Sequence, residues 1–157
     1  MNCHERPKGV AGPGAGERGS VLVEFSFVFA LFVLVIYALI SFGMILAAKN
    51  SLTHAAAEGA RAAIGTVDDP LTVGVDERVV RAETQVTRSL SWMGSKFQPG
   101  DASAVIQGCD PAVPAGSQCI TVTITYPYAT RPIVPPAPGL GLVTPKSLTS
   151  TAVVELT

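Results

Sequence analysis

Few side chains in this sequence sit close enough together to do chemistry. The two histidines, His4 and His54, lie in unrelated contexts, too little material for a Cys/His zinc cluster or a histidine-based triad. No nucleophile, base and oxyanion donor recur together, so no catalytic residues, no metal and no organic cofactor are expected, and the chain is not expected to be an enzyme. Cys109 and Cys119 frame the segment CDPAVPAGSQC, whose Pro111, Pro114 and Gly116 let a short chain double back. A disulfide between them is expected, contributing roughly 2–3 kcal/mol if the loop-entropy account holds. His54, Glu58 and Arg61 fall one turn apart on a helical pattern and read as a solvated surface cluster with no proton-transfer role. The most informative group is Glu24, the only charged residue between Gly19 and Ala48. An ionised carboxylate at the start of an apolar helix costs several kcal/mol unless it reaches water or a cation. Two readings stand: the carboxylate lies among lipid head groups, or a cut between Gly19 and Ser20 creates an α-amine four residues away, with which Glu24 pairs within the chain or on a neighbouring subunit.

The element that positions Glu24 is the uncharged run of 24 residues from Phe25 to Ala48, FSFVFALFVLVIYALISFGMILAA. As a helix it is about 36 Å long, enough to cross a hydrocarbon core of about 30 Å with some tilt. It exceeds the apolar core of a removable signal peptide, and the Gly-, Pro- and Thr-rich remainder is too small to wrap it on all sides. One membrane span is therefore expected. Arg6, Lys8 and Arg18 precede it and Lys49 and Arg61 follow it, a bias that puts the N-terminus in the cytoplasm and the C-terminal part outside. The paired cysteines on the distal side and the lone Cys3 before the span agree with an oxidising exterior. Eleven basic residues against twelve acidic ones, a net charge of −1 and a mean hydropathy of +0.40 fit a membrane protein and argue against a nucleic-acid partner.

The rest divides into three. Residues 1–19 are glycine-rich, lack apolar periodicity and are expected to be a disordered leader. One helix is predicted from about Ser20 to Ile64, ending at Gly65 and the TVDDP breaker, which makes 20–65 a transmembrane and stem helix. Residues 66–157 form an extracytoplasmic domain. In it Asp76 caps a second helix, DERVVRAETQVTRSLSWM, with Val79, Ala82, Val86, Leu90 and Met93 on one stripe and Glu77 and Arg81 as a solvated pair. Strict alternation from Ile120 to Tyr126 predicts a half-buried strand with a threonine-lined outer face, and Ser103–Gln107 and Thr149–Leu156 are weaker strands. The disulfide loop joins the first strand to the central one as a hairpin. The proline-rich RPIVPPAPGLGLVTP is read as a stiff loop. The fold class expected is α+β: a long transmembrane helix, a second helix and a small antiparallel sheet packed on it.

Three small residues are candidates for helix contacts. Gly43 and Ala47 make a small-xxx-small pair that either admits another helix closely or, like the phenylalanine face, simply meets lipid. Gly59 lets a partner backbone approach, at a cost of roughly 1 kcal/mol of helix stability relative to Ala. Phe25, Phe29 and Phe32 share a different face.

A short basic, glycine-rich leader, a Gly before the cut, a Glu five residues on and a long apolar helix resemble type IV prepilins. More narrowly, residues 18–65 resemble the opening of the TadE family, pilin-like proteins of tight adherence (Tad or Flp) pilus systems. The matching features are Arg18-Gly19, Val23-Glu24-Phe25, Phe42-Gly43 and Ala57-Glu58-Gly59-Ala60-Arg61-Ala62-Ala63. The resemblance implies that Gly19 precedes the cut of a prepilin peptidase, that Ser20 becomes the new N-terminus and that Glu24 is the assembly or processing acid. It implies a minor pseudopilin with the membrane, the peptidase and other pilus-assembly proteins as partners. The competing reading is an uncleaved single-span anchor that displays a small binding domain outside the cell.

Overall fold

In a computed structural model of the chain, residues 15–65, 76–109, 116–135 and 144–156 are described. Cys3, His4, the TVDDP breaker, Pro111, Pro114 and residues 136–143 lie outside them. The elements run α1 (Ala15–Ile64), α2 (Glu77–Ser89), two short 3-10 turns (Ser91–Lys96 and Pro99–Asp101), β1 (Ala102–Gly108), β2 (Gln118–Tyr126) and β3 (Leu148–Leu156). This is the expected α+β arrangement of a long apolar N-terminal helix, a second helix and a three-stranded antiparallel sheet. Two compact units divide at Ile40/Ser41. The helix starts at Ala15, five residues before the predicted Ser20, because Ala15, Glu17 and Arg18 are good helix formers and outweigh Gly16 and Gly19.

The second unit is built on a stripe of small residues. From Ser41 onward α1 buries Ile45, Ala48, Leu52, Ala55, Ala56, Ala60 and Ala63, at the three- and four-residue spacing of one helical face. Gly59 lies in that stripe, and a Cβ there would stand 2.6 Å from Val86 Cγ2 and 3.0 Å from the Ala82 carbonyl oxygen of α2, with Val122 of β2 at 3.6 Å. The absence of a side chain is what lets α2 close on α1.

Helix α2 begins where its capping chemistry dictates, with the Asp76 carboxylate accepting from the Arg78 N–H at 2.9 Å. Glu77 in its first turn and Arg88 in its last complement the helix dipole. It ends at Ser89, short of the predicted Met93. The chain tightens into a 3-10 turn and then breaks at Gly94, whose φ of +57° suits only a residue without Cβ. The apolar stripe nonetheless continues: Ala82, Val86, Leu90, Met93 and Phe97 are all buried.

The sheet is a meander in the order β1-β2-β3, with Val122 at its centre opposite Ala104 and Ala152. Ile120, Val122, Ile124 and Tyr126 are fully buried, while Thr121, Thr123 and Thr125 face outward, as the alternation requires. Each predicted strand is one or two residues longer at one or both ends in the structure. Cys109 and Cys119 are bonded, with Cα atoms 5.0 Å apart, and the Cys109 N–H donates to the Ser117 carbonyl at 3.1 Å just past the ladder. The Ser150 hydroxyl of β3 meets the Thr53 hydroxyl of α1 at 3.1 Å.

The chain after β2 is tied down by one polar knot. The Arg131 guanidinium pairs with Asp101 at 2.5 Å, donates to the Lys96 carbonyl at 2.7 Å and lies 5.5 Å from the centre of the Tyr126 ring. The Tyr126 hydroxyl donates in turn to the Arg131 carbonyl. Burial raises the Tyr126 pKa, with the Arg131 charge opposing and Asp101 and Tyr128 reinforcing it. Phenolate formation is therefore less favourable in the folded chain than in the unfolded one, so stability is intact below pH about 10 and falls as the pH rises beyond it. Urea titrations across pH 9–12 test this: Tyr126→Phe has lower stability at neutral pH and a shallower alkaline decline than the parent. The two glycines of α1 give a second test. Gly59→Val overpacks the junction with α2 and costs about 1–3 kcal/mol, whereas nothing lies within 4 Å of a Cβ at Gly43 and Gly43→Ala leaves the domain as stable as the parent. Thermal unfolding of the full chain in detergent, followed by Trp92 fluorescence, separates them.

Candidate functional site

From Gly19 to Ile40 the side chains of α1 are apolar on every face, and they are open: Val21 is 66% exposed, Phe25 65% and Leu39 68%. A core helix of a water-soluble domain would bury one face. Among the described residues the chain has one helix long and apolar enough to cross a membrane, Gly19–Ile64, near the N-terminus. The Ser26 hydroxyl donates back to the Leu22 carbonyl at 2.8 Å, which satisfies it without leaving the helix. Phe25 and Phe29 stack with ring centres 5.9 Å apart.

Gly19, Ser20 and Glu24 all lie on this helix and are exposed. Ser20 and Glu24 are one turn apart and share a face, so an amine at residue 20 would lie within reach of the carboxylate. Nothing stands within 4 Å of a Cβ at Gly19. The Gly19–Ser20 peptide bond lies inside helical residues.

The three candidate contact residues part company. Gly43 and Ala47 are exposed, whereas Gly59 is buried against α2 and β2 of its own chain. The neighbouring Glu58 accepts a hydrogen bond from the Ser89 hydroxyl of α2 at 2.7 Å, while His54 and Arg61 are exposed. The AEGARAA segment thus carries both steric and polar contacts to α2. Nothing in the sequence pointed from Glu58 to a serine 31 residues away.

Elsewhere the polar groups serve structure. The Glu83 carboxylate of α2 accepts from the Ala104 N–H of β1 at 3.2 Å. A shallow hollow of about 500 Å³ beside the Arg131 knot is lined by Lys96, Thr130, Arg131 and Ile133 among others, and its cations donate to backbone carbonyls, Lys96 to Pro132 and Arg131 to Lys96. Among the described residues no group of three or more His, Cys, Asp or Glu could hold a metal ion.

The comparisons with known proteins bear on the helix. No curated protein and no solved structure matches the chain. A family model does, over residues 19–61, and its description is TadE-like protein. The matched stretch opens at Gly19, includes Glu24 and the exposed apolar turns, and closes at Arg61 in the turn where Gly59 meets α2. What the chain is similar to is thus confined to α1: residues 19–61 match the TadE-like family model.

Proposed function

We propose that this chain is a minor pilin-like subunit, a pseudopilin, of Tad-type pilus biogenesis, held in the membrane by the first part of α1 and trimmed by a prepilin peptidase between Gly19 and Ser20. The observation that carries the reading is the match that opens at Gly19 and runs through exposed apolar turns, Gly19–Ile40, whose single charge is Glu24. After the cut, the new amine of Ser20 and the carboxylate of Glu24 form an ion pair at the edge of the apolar phase, within one chain or between neighbours, where low dielectric strengthens it. The chain then works by packing and ion pairing rather than by catalysis. The N-terminus is cytoplasmic and residues 66–157 lie outside, a placement supported by the flanking charges and by the Cys109–Cys119 bond, which suits an oxidising compartment. Its partners are the peptidase and other pilus-assembly proteins, and the exposed Gly43 and Ala47 offer one of them a close helix approach.

N-terminal sequencing of the protein purified from its membrane tests the cut. The parent begins at Ser20, and Gly19→Phe accumulates as a precursor that begins at Met1. Glu24→Gln is processed or assembled poorly although its second unit folds normally. A parent that still begins at Met1, with Glu24→Gln behaving like it, overturns the reading in favour of an uncleaved anchor.

A further inference from the structure

The two edges of the sheet are treated differently, and the hydrogen-bond register says how. On the β1 side, the Ala104 N–H is taken by Glu83 of α2, so the main-chain groups of Ala104 point away from β2. Ala104 and its partner Val122 are therefore a non-hydrogen-bonded pair, and the groups of Val122 point to β3. That makes Val122 and Ala152 a hydrogen-bonded pair, and alternation then fixes the whole of β3. Its even-numbered residues bond to β2; Thr149, Thr151, Val153 and Glu155 direct their N–H and C=O groups outward. Among the described residues no main-chain hydrogen bond reaches that outer edge.

Natural sheets blunt such edges with short strands, lysines, prolines, bulges or a covering helix. The β1 edge has α2. Among the described residues no helix covers the β3 edge; it runs nine residues, longer than a typical strand, and LTSTAVVEL contains no Pro, no Lys and one charge, Glu155. We propose that this edge is an interface at which β3 pairs antiparallel with β3 of a second copy of this chain, making one continuous six-stranded sheet.

The sequence of β3 fits itself. Pairing all nine residues centres the two-fold axis on Ala152 and sets Leu148 opposite Leu156, Thr149 opposite Glu155, Ser150 opposite Val154 and Thr151 opposite Val153. The outward groups of Thr149, Thr151, Val153 and Glu155 then meet their counterparts in a ladder of about eight N–H···O=C bonds. The strand's one charge, Glu155, faces a threonine and never its own copy. On the inner face Ala152, Val154 and Leu156 pack against the core yet remain half-exposed, and the second copy extends the cover over them.

The test uses the full chain in its membrane. Ala152 falls at a non-hydrogen-bonded pair with itself, where opposed Cα atoms approach to about 4.5 Å, within disulfide reach. Ala152→Cys on a Cys3→Ser background is expected to give a reducible dimer. Thr151 and Val153 are exposed on the outer face and oppose each other across the axis. Thr151→Lys with Val153→Lys in that background therefore sets like charges together and lowers the dimer about tenfold. The matching pair of glutamates does the same, and co-expression of the lysine and glutamate chains restores a mixed dimer, which also shows that both chains fold. Absence of the dimer in Ala152→Cys, a lysine chain that dimerises as well as its parent, or failure of the mixed pair to form overturns the proposal.

Discussion

The second unit depends on one steric constraint, the approach of α2 to α1 at Gly59. Where a Cβ would stand 2.6 Å from a valine methyl group, only glycine allows the two helices and β2 to share a core. The alanines around it extend the same logic along the helix. Alanine at 55, 56, 60 and 63 buries little surface of its own, but it lets the large residues of the sheet and of α2, from Ile124 and Tyr126 to Leu90, do so against a smooth wall. Glu58 adds a polar contact to Ser89 on the solvent side of the same junction.

One continuous helix therefore carries two surfaces with opposite demands. Its first part has large aliphatic and aromatic side chains on all faces and leaves them open, which suits a lipid solvent with no preferred side. From Ser41 onward one face is buried, where Ile45 and Leu52 are the large residues and alanines make up most of the rest, while Phe42, Met44 and Leu46 stay exposed on the others. The TadE-like match covers both parts, so what the family model records is a run of exposed apolar turns together with the bed on which α2 and the sheet are laid.

The sequence made legible whatever depends on local period and local chemistry. The alternation of Ile120–Tyr126, the Asp76 cap, the stripe from Val79 to Met93 and the cysteine spacing each declare an element, and each is present. Boundaries were less legible, since the break at Gly94 needs knowledge of where the core ends. Contacts between groups remote in sequence were not legible at all. Glu83 to Ala104, Arg131 to Asp101 and Ser150 to Thr53 are set by tertiary packing, and no spacing rule links them. At the membrane end the reverse holds: Gly19, Ser20 and Glu24 are read from the sequence pattern, and the structure adds only that they share one exposed helical segment.

The cross-link between Cys109 and Cys119 belongs wholly to the first hairpin, while the third strand, Leu148–Leu156, reaches back from Ser150 to Thr53, 97 positions earlier. The residues of both helices and of the cross-linked hairpin are thus synthesised before those of β3. Without β3 the central strand shows a bare flank and the helix bed beside Thr53 stands uncovered. The covalent bond and the third strand are therefore separable: a chain cut before residue 148 keeps both cysteines of the first hairpin yet lacks the strand that pairs with β2.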